Sequence, residues 1–198
     1  MKLLNLACGS VRPSGPEWVN LDNLFVQFPN GNERAQLEAE GNYVDHDLHN
    51  PLPFGDESFD GIVASHILEH LDALDCAKLL KECRRVLKVG APILVSVPDA
   101  TYFRKVNARD NRENCPELFG EPGKHITPGM ESFLEYALFF LDHRQVFTED
   151  SMWCTLKNAG FHSMLMRVLE LKAMPEPLPT MLSILNRNLF SLTMSAIK

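Results

Sequence analysis

Five short apolar runs, each closing on a small or polar residue, constrain this chain to an α/β sheet more tightly than any other feature. Leu3 to Ala7 reads as a buried strand that ends in Cys8-Gly9-Ser10. Trp18 to Leu21 is a second, ending at Asp22, and Asn42 to His46 a third, ending near Asp47. Phe59 to Ala64 is a fourth, ending at Ser65-His66, and Ile93 to Val97 a fifth, ending at Pro98-Asp99. One strong helix, Asp72 to Lys88, lies among them. It has Asp72 as N-cap, apolar positions at Leu74, Ala77, Leu80, Cys83 and Leu87, a basic last turn and Gly90 as its stop.

The second half is less regular. Ala100 to Pro128 is polar and aperiodic and reads as a long excursion, followed by a helix over Glu131 to Leu141. Thr148 caps a further helix that carries Glu149 and Asp150 in its first turn and stops at Gly160. Phe161 to Leu171 and Leu189 to Ile197 read as two closing strands. Pro175, Pro177 and Pro179 break the chain between them, before a short helix from Thr180 to Asn186. A length of 198 residues suits one domain, and residues 100–147 are expected to cap a ligand at the strand ends.

Composition narrows the function classes. The net charge of −7 argues against a broad nucleic-acid surface. The one basic cluster, Arg84, Arg85 and Lys88, sits where it complements a helix dipole. The five cysteines, Cys8, Cys76, Cys83, Cys115 and Cys154, are odd in number and include no C-x-x-C pair. They form neither a disulfide framework nor a structural zinc site, so a reducing, cytoplasmic location is expected. No apolar run approaches membrane-spanning length, and the apolar start is too short, and interrupted by Asn5, to be a lipoprotein signal.

In an open α/β sheet, ligands bind beyond the carboxyl ends of the strands. Those ends carry Ala7-Cys8-Gly9, Asp22, Asp47-Leu48, Ser65-His66 and Pro98-Asp99. There is no G-x-S-x-G and no Walker lysine, so serine-hydrolase and P-loop chemistry are excluded.

The ordered segments Leu4-Asn5-Leu6-Ala7-Cys8-Gly9 and Trp18-Val19-Asn20-Leu21-Asp22 resemble the start of class I S-adenosylmethionine-dependent methyltransferases, in a compact, type 11-like subgroup. Asp47 to Phe54, Ser58-Phe59-Asp60, Ser65 to Leu71, Glu82 to Lys88, Val97-Pro98-Asp99 and Phe147-Thr148 with Asn158 to Phe161 continue the resemblance in order. It implies a Rossmann-like three-layer α/β sandwich, its sheet mostly parallel with a final antiparallel strand. It also implies S-adenosylmethionine as cofactor, bound by Ala7, Cys8, Gly9, Asp22, Asp47, Leu48, Ser65 and His66. On that reading small residues at 7 and 9 admit the methionine end, and Asp22 accepts from both ribose hydroxyls. Asp47 and the Leu48 amide read the adenine. The acceptor implied is a hydroxyl or amine of a small molecule, such as a sugar or polysaccharide precursor. His66 is then the candidate base, since an imidazole suits proton transfer at neutral pH. Tyr102, Phe103 and His143 are the candidate acceptor-binding residues, and His143 could turn back toward His66, Glu69 and His70.

Three departures bear on function. Asn5 stands where the family carries an acid, Ala7 where it carries glycine, and Val11 where a third glycine is common. Only ten residues, Gly9 to Trp18, connect the first two strands, so the first crossover helix is expected to be short or absent. These departures keep open a second reading, a non-catalytic partner subunit on the same fold. His66-Ile67-Leu68-Glu69-His70 also spells H-x-x-E-H, the inverted zinc-peptidase pattern, but it precedes only a short helix. Glu69 and His70 also match the E-x-x-E-H of some magnesium-dependent methyltransferases, with His66 in place of the first acid, and are the weak candidates for a metal that is otherwise not expected.

Overall fold

The computed structural model describes residues 1–23, 32–101, 142–166, 176–183, 185 and 191–198. The apolar runs become β1 (Leu3–Leu6), β2 (Trp18–Asp22), β3 (Tyr43–Asp45), β4 (Gly61–Ser65) and β5 (Pro92–Pro98), with β6 (His162–Met166) and β7 (Ser191–Ile197) closing the fold. They form one seven-stranded sheet in the order β3-β2-β1-β4-β5-β7-β6. Strands β1 to β5 pair in parallel, and β7 enters antiparallel between β5 and β6. The helices are α1 (Asn32–Glu40), α2 (Ala73–Val86), α3 (Glu149–Asn158) and α4 (Leu178–Ser183), with a single 3₁₀ turn at Leu68–His70.

Helices cover both faces of the sheet, which accounts for strands that are apolar on both sides. Leu4, Leu6, Ile62, Ile93 and Val95 meet Leu79, Leu80 and Cys83 of α2 and Met152 and Leu156 of α3. The opposite face, Leu3, Trp18, Val63 and Leu94, packs against Leu178, Met181 and Leu182 of α4. Gly61 lets α4 lie close, since a Cβ there would stand 2.6 Å from Met181 Sδ and 3.1 Å from Leu3 Cδ2. The Asp72 carboxylate caps α2 by accepting from the Leu74 and Asp75 amides, and Thr148 and Ser151 form a reciprocal capping box on α3.

The basic cluster of α2 is structural. Arg85 donates to Glu82, Asp56 and the carbonyls of Leu52 and Phe54, which ties the 52–56 loop to the helix. Arg84 donates to the Gly160 carbonyl, and Lys88 pairs with Asp60.

Several boundaries differ from the sequence expectation for identifiable reasons. Strand β4 begins at Gly61, because Phe59 forms only an isolated bridge with Leu87. Helix α4 starts at Leu178, two positions before the expected Thr180, with Pro179 accommodated in its first turn. Helix α1 was not expected: its sequence carries Leu37 as its one large apolar residue and no apolar stripe, and Leu37 is buried. The helix expected over Glu131 to Leu141, and residues 102–141 of the expected cap, lie outside the described residues. So does the continuation of β6 toward Leu171.

No helix spans the connection from β1 to β2. A ladder of amide side chains holds it instead. Asn5 and Asn20 stand side by side in the parallel register, and Asn5 Nδ2 donates to Asn20 Oδ1 at 3.0 Å. Asn5 also donates to the Val11 carbonyl at 2.7 Å, while Asn20 and Asn42 both donate to the Pro13 carbonyl at 3.1 Å. Both strand asparagines are buried, so each of these bonds satisfies groups that water reaches poorly.

At the exit of β1, Ala7 has φ +54° and Gly9 φ +50°. The first is a left-handed conformation that an L-residue adopts at a cost. Asn20→Ala should destabilise the fold by about 2 kcal/mol, because it strips an acceptor from Asn5 and a donor from Pro13 inside the protein. Urea unfolding that shows no loss would contradict this role for the ladder. Ala7→Gly should have the opposite sign, raising stability by about 1 kcal/mol through relief of the left-handed strain. An unchanged or lowered urea midpoint would show that Ala7 is not strained.

Candidate active site

The parallel register of β1 to β5 brings their carboxyl ends to one edge of the sheet, and strand order fixes the sequence of groups along it. From β3 to β5 these are His46-Asp47, Asp22, Ala7-Cys8-Gly9, Ser65-His66 and Asp99. β1 has β2 on one side and β4 on the other, so the chain order reverses between Gly9 and His66. A crevice at such a reversal is where open α/β sheets take ligands.

Asp22 is fixed before any ligand arrives. Its Oδ2 accepts the Gly9 amide at 2.8 Å and its Oδ1 the Asn23 amide at 2.8 Å. A carboxylate has about four acceptor positions, so these two bonds aim it and leave capacity for two hydroxyls. Its backbone carbonyl receives the Tyr43 hydroxyl at 2.8 Å and the His46 amide at 2.9 Å. Beside Gly9, a Cβ would meet nothing within 4 Å, so the loop offers open space at its own backbone. Arg12 reaches back to the Gly9 carbonyl at 2.8 Å and pairs with Glu40 of α1 at 3.1 Å.

Cys8 is buried, which disfavours the thiolate that a cysteine nucleophile needs. Burial first, and the Asp22 charge second, push its thiol up to about 12.

Asp47 is exposed, and its Oδ1 accepts both the His49 amide and His49 Nδ1, which lowers its pKa. Leu48 is half-buried and packs on the core. His46 was not singled out from the sequence. Its Nε2 is buried and has no partner, one residue from Asp47 and hydrogen-bonded through its backbone to Asp22. Its place at the end of the third strand is the only sequence signal that marks it.

His66 sits at φ +54°, with its amide on the Ser96 carbonyl at 2.8 Å. Its Nδ1 lies 3.0 Å from Glu69 Oε1 and its Nε2 lies 2.9 Å from Ser191 Oγ. An ionised carboxylate only accepts, so in the neutral tautomer with the proton on Nδ1 the ring donates to Glu69 and Nε2 faces the Ser191 hydroxyl. Glu69 is 1% exposed, and its second oxygen, Oε2, is buried with no hydrogen-bond partner. Neither Ser191, from the last strand, nor the buried state of Glu69 was visible in the sequence.

His143 does turn back to this turn of chain. Its ring meets that of His70 edge to face, with centroids 4.8 Å apart. Burial lowers its pKa, and the neighbouring His70 and His66 act in the same direction against the pull of Glu69. The Arg144 and Gln145 amides donate to the Glu69 carbonyl, and Gln145 Nε2 donates to the Leu68 carbonyl at 2.9 Å. Tyr102 and Phe103 lie outside the described residues. Among the described residues, no helix is long and apolar enough to cross a membrane.

Residues 5–95 match the family model described as a methyltransferase domain. An S-adenosylmethionine-dependent methyltransferase from Archaeoglobus fulgidus is 19% identical with a TM-score of 0.59, over 100% of this chain and 86% of that one. One from Mesorhizobium loti is 19% identical with a TM-score of 0.55, over 100% and 90%. A Thermotoga maritima protein described as a possible histamine N-methyltransferase is 16% identical with a TM-score of 0.54, over 100% and 82%. No curated protein matches the sequence. The open loop at Gly9, the aimed Asp22 carboxylate and the orphaned His46 nitrogen fit an adenosyl ligand. Residues 5–95 therefore match the methyltransferase-domain model, and the whole chain shares the fold of solved S-adenosylmethionine-dependent methyltransferases.

Proposed function

We propose that this chain transfers a methyl group to a hydroxyl or amine of a small molecule, with a sugar or polysaccharide precursor as the first class to test. S-adenosylmethionine, when bound, supplies an electrophilic methyl on a sulfonium and departs as S-adenosylhomocysteine. The protein's part is to hold, orient and take a proton. Asp22 holds the ribose hydroxyls, and Asp47 and the Leu48 amide hold the adenine, with His46 as an added donor or acceptor on that side. Ala7, Cys8 and Gly9 admit the methionine end, and Ser65 and His66 flank the methyl.

The observation that carries this reading is the His66–Glu69 pair at 3.0 Å. Glu69 fixes His66 in the tautomer whose Nε2 can accept a proton, and the imidazolium so formed would gain a buried counter-ion. An acceptor hydroxyl would take the place of the Ser191 hydroxyl at Nε2, lose its proton there as the new C–O bond forms, and leave the sulfonium's electron pair on sulfur. Tyr102, Phe103 and His143 complete the acceptor side of the proposal. The alternative reading, a partner subunit without turnover, draws on Ala7 at φ +54° where glycine would be unstrained.

Calorimetry with S-adenosylhomocysteine separates the two. The wild-type protein should bind it, and Asp22→Ala should weaken binding at least tenfold, since a charged acceptor is worth about 1.5–3 kcal/mol. No binding at millimolar ligand would refute the methyltransferase reading, and unchanged affinity in folded Asp22→Ala would refute the role of Asp22. Against a panel of hydroxyl and amine acceptors, His66→Gln should lower kcat by roughly a hundredfold or more with little change in S-adenosylhomocysteine affinity. Equal turnover by the variant would remove His66 as the base.

A further inference from the structure

We propose that Glu69, His70 and His143 form a binding site for a single divalent transition-metal ion of the zinc or cobalt class. One ligand atom from each of the three side chains lies within 4.8 Å of the other two. Around a zinc ion with bonds of about 2.0–2.2 Å, such atoms stand about 3.3 Å apart. From separations of up to 4.8 Å, the three ligand atoms therefore need to close by at most about 1.5 Å.

The second observation is the state of Glu69. It is 1% exposed, and its Oε2 has no hydrogen-bond partner. A buried carboxylate oxygen left without a donor is costly, and a cation is one of the few groups that removes the cost. The other oxygen remains with His66 at 3.0 Å, the outer hydrogen bond that orients metal-ligating carboxylates.

Both imidazoles are prepared to ligate. His70 Nδ1 lies 3.3 Å from the Asp142 carbonyl, which can only accept, so Nδ1 holds the proton and the lone pair is on Nε2. A ring nitrogen donating to a backbone carbonyl is the usual support of a ligating histidine. His143 packs edge to face on His70, with ring centroids 4.8 Å apart, which brings the two imidazoles to the same side of Glu69. The backbone bonds from Arg144 and Gln145 to Glu69 hold its segment against the 3₁₀ turn.

The set differs from the H-x-x-E-H pattern visible in the sequence. His66 is outside it, because Glu69 and Ser191 already take both of its nitrogens. The third ligand comes instead from residue 143, on the far side of the excursion. Two imidazoles and one carboxylate suit zinc, cobalt or another borderline ion, whereas magnesium prefers six oxygens. Three protein ligands also leave a coordination position open.

The test is calorimetry of zinc, cobalt and magnesium chlorides into the full chain after chelator treatment. Zinc should bind one per chain at micromolar or lower concentration, magnesium at least a hundredfold more weakly. Cobalt should give visible absorption bands of a four- or five-coordinate ion. His143→Ala and Glu69→Gln should each weaken zinc at least tenfold and remove the cobalt bands, with folding checked by circular dichroism. Should either variant fail to fold, His70→Gln is read in its place. Absence of zinc binding to the wild-type chain, preference for magnesium, or zinc affinity unaltered in a folded variant would each overturn the proposal. The last outcome would assign the ion to other groups, such as His49 with Asp47 and Asp75.

Discussion

The short crossing from β1 to β2 sets the conditions for everything at the ligand edge. Two adjacent parallel strands are joined here without a helix, so the connection itself brings no apolar helix face to the sheet beside Asn5 and Asn20. The two asparagines lie on the row of Leu3 and Trp18, and their amides bind the loop carbonyls in place of hydrocarbon packing. This pairing fixes the path of the loop. The fixed loop in turn delivers the Gly9 amide to Asp22 and leaves Ala7 in a left-handed conformation.

The opposite side of the reversal relies on a different device. Glu69 is a carboxylate buried within a single turn of 3₁₀ helix, and it gathers three hydrogen-bond partners around itself. Its side chain holds His66, and its carbonyl receives Arg144 and Gln145 as the chain returns from the excursion. The two halves of the ligand edge are thus built from unlike materials, amide side chains beside β1 and a buried carboxyl group beside β4. A neutral network tolerates changes in pH, while a buried carboxylate depends on the donors and cations near it.

Much of this was legible in the sequence because buried parallel strands read as unbroken apolar runs. β1 to β5, the capping of α2 by Asp72 and of α3 by Thr148, and the brevity of the first crossover follow from local chemistry. The strand ends, and hence the positions of Asp22 and His66 on the edge, follow from the same pattern. What escaped is tertiary. Helix α1 has no apolar stripe to announce it, since Leu37 is its one large apolar residue. Ser191 meets His66 across 125 positions of chain, a pairing that no local spacing encodes. Asn5 was visible as a departure from an acidic position, but its function as donor to Val11 requires the loop's path to be known.

The placement of β7 carries a consequence for the order of assembly. β6 pairs with β7, and β7 in turn with β5, while β7 follows β6 in the chain. Until the later strand is made and inserted, β6 has no edge to join, and the exposed side of β5 stays open. During synthesis from the N-terminus, the five parallel strands can therefore form a sheet first, while the final pair docks as a hairpin-like unit only after Ile197 has emerged. A pause before that point would leave a half-sheet with one sticky margin, the species that a chaperone would need to shield.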